Sequence, residues 1–290
     1  MSAFVNTRRR ATASPRVSIV IPALNEAANL AVVLPRLPQV HEVILVDGGS
    51  VDGTVATARR LVPGIVTVLQ ARTGKGNALA SGFARVTGDV VVMFDADCSA
   101  DPTEIARFVQ VLTGGADFAK GSRFTPGGGS ADITPIRAAG NRGLNAVFNL
   151  IFGTRYTDLC YGYNAFWTDL TPTLDLPDHT RPPASHGRMQ WGDGFEIETV
   201  INCRFAAAGV DIVEVPSVEL PRVHGESNLN AVTDGLRVLR TLATEAWRGR
   251  GTRRRRHQGH RGLLDLPAVL ERVRETAWAG TFPASERDAA

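Results

Sequence analysis

Short apolar runs that stop abruptly in polar, acid-bearing turns set the rhythm of this chain. Val17 to Ile21 runs into Pro22-Ala23-Leu24-Asn25-Glu26, Val43 to Val46 into Asp47-Gly48-Gly49-Ser50, and Val90 to Phe94 into Asp95-Ala96-Asp97. Each turn leads into a stretch with helical spacing of apolar positions, the pattern of parallel βα units whose loops gather on one sheet edge. The pattern predicts strands at Val17 to Ile21, Glu42 to Asp47, Ile65 to Gln70, Val90 to Asp95, Asp117 to Gly121 and Val210 to Val215. Helices are expected around Asn29 to Leu37, Asp52 to Leu61, Lys75 to Val86, Pro102 to Leu112, Pro135 to Phe152, up to about Ala208, and Ala231 to Trp247. Asp101-Pro102 with Glu104 supplies an N-cap, a first-turn proline and an N3 acid for the fourth of these. Thr125 to Ser130 and the Pro-rich stretch Pro172 to Ser185 read as loops, the first as a mobile one that closes over the site.

At 290 residues and 43% hydrophobic, the chain can bury one substantial core with appendages. A net charge of only +3 argues against a general nucleic-acid-binding surface. The basic residues are nevertheless uneven, with Arg8 to Arg10 near one end and Arg248, Arg250, Arg253 to Arg256 and Arg261 near the other. The second cluster reads either as a solvated linker or as a segment drawn to anionic lipid headgroups. Residues 1–15 are expected to be disordered, 16–247 to form the main domain, 248–262 an Arg-rich linker and 263–290 a helical tail, with Leu263 to Trp278 near helical spacing. Cys98, Cys160 and Cys203 are widely spaced and match no zinc or disulfide framework, which reads as reduced and cytoplasmic. No stretch approaches the roughly 20 apolar residues of a membrane span, so the expectation is a cytoplasmic protein, soluble or peripheral on the inner membrane face.

Asp95 and Asp97 carry the sharpest chemistry. Residues two apart on a strand face the same side, so both carboxylates can offer hard oxygen ligands to a divalent ion in one cleft. Asp47 fits an acceptor for a base or ribose, or simply a turn-forming acid before two glycines. Gly74-Lys75-Gly76 lacks the spacing of a phosphate loop, leaving Lys75 as a nucleotide-side cation or a solvated helix-start lysine.

The motifs VSIVIPALNE, ILVDGGSVDGT, GKGNAL and FDADCSADP occur in that order and continue through KGSRF and TDLCYGYNAF. Together they resemble the nucleotide-sugar glycosyltransferases of family 2, and among them the polyprenyl- or dolichyl-phosphate hexose synthases. The resemblance implies the GT-A fold, a Rossmann-like, mostly parallel α/β sheet flanked by helices, here with a C-terminal helical extension. It implies inverting, metal-dependent transfer of a hexose from a GDP-mannose or UDP-glucose type donor to a polyprenyl phosphate. Mg2+ or Mn2+ would be held by Asp97 with Asp95, and Asp95 would contact the ribose or support the metal. Ser99 stands where such enzymes often have a glutamine ligand. Pro22, Ala23, Asn25, Glu26, Asp47, Lys75, Ala96 and Arg222 would line the donor pocket with the two acids.

By the same resemblance, Arg123, Arg137 and Asn141 match the spacing of an acceptor-phosphate site, and Asp158 would organise those arginines. Arg222, His224, Glu226, Ser227 and Asn228 resemble a late segment that approaches the donor diphosphate, with Asn228 replacing a lysine. The resemblance also implies a peripheral membrane contact, for which the apolar face of Pro135 to Phe152 is the candidate. Two alternatives stay open. A glycosyltransferase acting on a hydroxyl of a soluble small molecule needs a carboxylate base, for which Asp193 or Glu196 qualifies; a nucleotide-sugar-binding protein without catalysis needs neither.

Overall fold

The computed structural model describes residues 14–131, 133–183, 189–225 and 231–253. The expectations for Arg8 to Arg10, for Glu226, Ser227 and Asn228, for Arg254 to Arg261 and for Leu263 to Trp278 lie outside these described residues.

Strand β1 (Val17–Ala23) is central because its Val and Ile residues are buried on both faces, as a strand covered by helices on two sides requires. It pairs in parallel with β2 (Glu42–Asp47) on one side and β4 (Val90–Met93) on the other, and β3 (Val66–Leu69) extends the β2 edge. Helices α1 (Ala27–Val33), α2 (Thr54–Leu61) and α3 (Lys75–Phe83) make the crossovers, and α4 (Ile105–Thr113) follows β4. Beyond β4 the sheet continues through β7 (Asn164–Trp167), β5 (Phe118–Ser122) and β8 (Ile212–Pro216), giving the order β3-β2-β1-β4-β7-β5-β8. Only β7 runs antiparallel to its neighbours. Strand order reverses between β1 and β4, and the carboxyl ends flanking such a switch point form the ligand crevice of open α/β sheets. Ala23 lies directly beside Asp47, and Val20 beside Met93, so the three acid-bearing turns emerge together.

The remaining elements build one side of this crevice. Helix α5 (Pro135–Phe152) starts on the Thr134 cap and stops at Gly153, whose φ of 68° suits glycine. Helix α6 (Ile197–Ala208) is buried over most of its length, and α7 (Ala231–Arg253) packs on both α5 and α6. A two-stranded ribbon joins β6 (Gly129–Ser130) to β9 (Val218–Glu219).

Three departures from the sequence-based expectation have physical reasons. β7 is absent from it because four residues, Asn-Ala-Phe-Trp, show no alternation when both faces are buried. The loop Thr125 to Ser130 ends in a paired ribbon rather than being wholly irregular, because Gly129 and Ala131 donate to the backbone of Ser217 and Glu219. Helix α7 runs on to Arg253, past Arg248 where the linker was expected to begin; arginine is a good helix former, and the intervening glycines do not stop it.

Candidate active site

The donor-side turns are stitched to one another before any ligand is considered. Asn25 takes a left-handed conformation, φ 57°, and its side-chain oxygen accepts from Val51 N–H at 3.0 Å while its own N–H donates to Ser50 Oγ at 2.8 Å. Glu26 N–H donates to Thr54 Oγ1 at 2.9 Å. Pro22 and Ala23 close β1 beneath them. The Asp47 carboxylate accepts from Gly49 and Ser50 N–H at 3.1 Å, so it shapes its own turn at the floor of the crevice.

Two carboxylates after β4 each hold a cation. Asp95 binds the Lys75 ammonium at 2.7 Å, and the same ammonium meets Glu198 at 2.6 Å. Burial works to lower the Lys75 pKa, but Asp95 and Glu198 outweigh it and hold it well above the ordinary lysine value. Asp97 binds the Arg222 guanidinium through Oδ2 at 2.7 Å and accepts from Ser99 N–H through Oδ1 at 3.0 Å. Ala96 is buried between the two acids. The chain turns sharply after them at Cys98, φ 66°. Burial raises the pKa of Glu26, Asn29 lowers it, and the nearby charges of Asp97 and Asp95 raise it further, so three acids share one field.

Asn29, which lies on α1, binds this corner together. Its amide donates to Glu26 at 2.6 Å and to the His224 carbonyl at 3.2 Å, and its oxygen accepts from His224 N–H at 3.1 Å. The Cys98 thiol donates to the Asn29 carbonyl at 3.3 Å. The 221–225 segment is thereby docked over the Asp97 turn.

Among the described residues, no three His, Cys, Asp or Glu side chains converge as a ready-made metal cage. Two carboxylates that already attract two cationic groups, Asp95 partly exposed and Asp97 buried, nonetheless fit a hard divalent ion, which would complete its shell with substrate phosphates and water. Asp97 and Asp95 are the residues that would hold it. Ser99 contributes its N–H to Asp97 and its carbonyl to Leu220 N–H, so its structural part is to set the turn.

A second cluster surrounds the arginine after β5. Arg123, at the end of β5, is buried and grips Asp158 with Nε at 2.7 Å and a second nitrogen at 3.0 Å, a bidentate pair. Its third nitrogen meets Glu219 at 3.0 Å, and its guanidinium lies 4.9 Å from the centre of the Tyr161 ring. Ser130 donates to Glu219, tying the β6–β9 ribbon to this cluster. Asn141 donates to Asp158 at 3.2 Å, and Glu214 in β8 accepts from Thr157 and Asp158 N–H. Arg123, Asn141 and Asp158 are thus brought together as expected. Arg137 stands one helical turn before Asn141 in the first turn of α5, half-buried, with its N–H capped by Thr134.

The two acids put forward as a general base are engaged in holding a turn. Asp193 is buried and bound by Arg72 through two nitrogens at 2.6 and 2.9 Å. Arg72 also donates to the carbonyls of Asp178 and Arg181. Glu196 accepts from Gly192 and Gly194 N–H. Both carboxylates fold the 190–196 turn and press it on the start of α3, where Gly76 N–H donates to the Asp193 carbonyl at 2.7 Å. A Cβ at Gly76 would lie 1.8 Å from the Gly192 oxygen, so only glycine fits there.

Sequence reasoning missed Glu198, Arg72, Asn29 and Glu219. Glu198 alone had a signal, an acid opening a helix two residues after Glu196.

The sequence profile described as Glycosyl transferase family 2 matches residues 18–170. The chain is 31% identical to the polyprenol monophosphomannose synthase of Mycolicibacterium smegmatis, over 74% of this chain and 81% of that protein. It is likewise 31% identical to the undecaprenyl-phosphate mannosyltransferase of Micrococcus luteus, over 81% of this chain and 97% of that protein. Among solved structures, glucosyl-3-phosphoglycerate synthase of Mycobacterium tuberculosis in complex with Mn2+, UDP-glucose and phosphoglyceric acid superposes with a TM-score of 0.63. That match covers 82% of each chain at 24% identity and bears on the fold.

Proposed function

The chain belongs to glycosyl transferase family 2, and from that premise we propose that it transfers a hexose from a nucleotide diphosphate sugar to the phosphate of a polyprenol, with inversion and with a divalent metal. The observation that carries this reading is a pair of acids after β4 and a bidentate arginine after β5 at the same edge of one sheet. The paired acids Asp95, partly exposed, and Asp97, buried, suit a metal-bound diphosphate, and a bidentate arginine at Arg123 with Arg137 one helical turn before Asn141 suits an anionic acceptor.

A phosphate acceptor is already a nucleophile, so the protein must position it and offset its charge rather than remove a proton. Arg123 uses three of its five N–H groups on Asp158 and Glu219 and keeps two for an incoming oxygen. Asp158 fixes its plane. Arg137 and Asn141 would present a second cation and an amide from α5. Lys75 and Arg222 would donate to the leaving diphosphate, and Asp47, Pro22, Ala23, Asn25 and Glu26 would enclose the nucleoside. Bound at Asp97 and Asp95, Mg2+ or Mn2+ would act as a Lewis acid on that diphosphate. The names of the two mannosyltransferase relatives support the acceptor class. The engagement of Asp193 and Glu196 in folding weighs against the hydroxyl-acceptor alternative.

A polyprenyl acceptor requires access to a bilayer, and among the described residues no helix is long and apolar enough to cross one. A peripheral contact is part of the proposal. Ile136 and Leu150 on α5 and Leu236 and Trp247 on α7 are exposed, and Arg142, Arg155 and Arg240 are exposed on or beside the same helices.

The test is a screen of radiolabelled GDP-mannose and UDP-glucose against polyprenyl phosphate, scored as label in the organic phase, with Mn2+ and with chelator. Organic-phase product that disappears with chelator is expected. Product only on a soluble alcohol, lost on Asp193→Asn or Glu196→Gln, would replace the acceptor reading.

A further inference from the structure

Arg222 makes a contact that this function does not predict. Its guanidinium sits on Asp97 Oδ2 at 2.7 Å, the oxygen offered to the metal, while Asp97 Oδ1 is held by Ser99 N–H. Its side chain is 30% exposed, so it is free to leave, whereas the backbone that carries it is not. Asn29, 4% exposed, clamps His224 N–H and carbonyl two residues later, and Leu220 N–H donates to the Ser99 carbonyl two residues earlier. The guanidinium therefore pivots from a fixed base that spans the Asp97 turn.

We propose that Arg222 is an exchange cation, held by Asp97 until a divalent ion takes that carboxylate and transferred then to the donor diphosphate. A guanidinium and a divalent ion on one carboxylate oxygen repel each other at a few ångströms, so metal entry at Asp97 requires Arg222 to leave. A diphosphate offers the displaced guanidinium an anion that it binds well. Metal and nucleotide consequently enter as a coupled pair, and by linkage each raises the affinity for the other by the same factor. The contact also keeps Asp97 charge-compensated between turnovers. This inference rests on the nucleotide-sugar reading of the same site.

Calorimetric titration with Mn2+, alone and with saturating UDP or GDP, tests it on the full chain and on Arg222→Gln and Arg222→Lys. Free Mn2+ counted by electron paramagnetic resonance gives an independent readout. Arg222→Gln should bind Mn2+ alone about fivefold more tightly than wild type, the order expected for losing a partly exposed ion pair. Its gain in Mn2+ affinity on adding nucleotide should shrink. Arg222→Lys, which keeps the charge, should stay near wild type in both. Unchanged or weaker Mn2+ binding by Arg222→Gln overturns the exchange, even where the wild type binds Mn2+ and transfers sugar. Failure of every variant to bind Mn2+, with or without nucleotide, overturns both the exchange and the metal-dependent reading.

Discussion

The proposed donor and acceptor halves of the crevice contain similar side chains buried to different degrees. On the donor side the side chains of Asp95 and Arg222 are about a third exposed, while their partners Lys75 and Asp97 are 16% and 11% exposed. On the acceptor side Asp158 is fully buried, Arg123 nearly so, and each charge has its partners. A pair with one partly exposed member can exchange partners at less cost than a fully buried pair, which cannot lose one member without leaving an uncompensated charge. The donor half is therefore arranged to be opened by ligand, and the acceptor half to hold one guanidinium in a fixed plane.

The substitution with the largest effect should separate these roles. Asp97→Ala should reduce transfer by at least about 10²- to 10³-fold, the scale of removing one preorganised electrostatic contact. Its thermal midpoint should stay near wild type, and near-normal activity with Mn2+ would move the metal site elsewhere.

Arg123→Ala should behave differently, losing transfer and also about 3–5 kcal/mol of stability, because Asp158 is left buried and unpaired. Adding Asp158→Asn should recover much of the stability and none of the transfer, as urea unfolding and organic-phase product would register. A single variant as stable as wild type would contradict the buried-pair account.

Arg137→Ala probes the acceptor without touching that pair. The expected loss is roughly 1.5–3 kcal/mol of transition-state binding, one to two decades in transfer to polyprenyl phosphate. Donor affinity by calorimetry should be unaffected. Equal losses in donor binding would merge the two halves into one site.

The smallest effect contrasts two lysines. Lys75 sits between carboxylates, so the stability it contributes is complete below pH 10.5 and is lost as pH rises through its raised folded pKa. Lys120 in β5 is fully buried and donates only to the carbonyls of Gly121 and Tyr161. Burial lowers its pKa, so the fold gains stability as pH climbs from that lowered value toward 10.5. Lys120→Met should remove that alkaline gain, at most about 1.4 kcal/mol per pH unit. Parallel stability curves for variant and wild type between pH 7 and 10 would refute it.

Much of the donor half was legible in the chain. Asp47, Asp95 and Asp97 follow apolar runs, and a parallel strand in a covered sheet must end in a loop at the crevice edge, so local pattern located them. The acceptor arginine was legible only through its motif. Its neighbours Glu219 and Glu214 come from β9 and β8, about 90 residues later, and no periodicity links them to it. Asp193 and Glu196 pose the converse problem. Two acids in a glycine-rich turn resemble catalytic bases until Arg72, 121 residues earlier, is found bound to one of them.

The sequence by itself determined the alternation of strands and helices, the side of the sheet on which the acids emerge, and the residue types available for metal and phosphate. These follow from hydrophobic periodicity and turn chemistry, which act over a few residues. The tertiary structure decided which charges meet: Lys75 with Glu198, Arg222 with Asp97, Arg123 with Glu219, and Asn29 with the 224 backbone. Those pairings depend on separations of about 3 Å across a sheet whose order inserts β7 between β4 and β5. A hydrogen bond forms only at that separation and in a matched direction, and local sequence pattern carries no record of either.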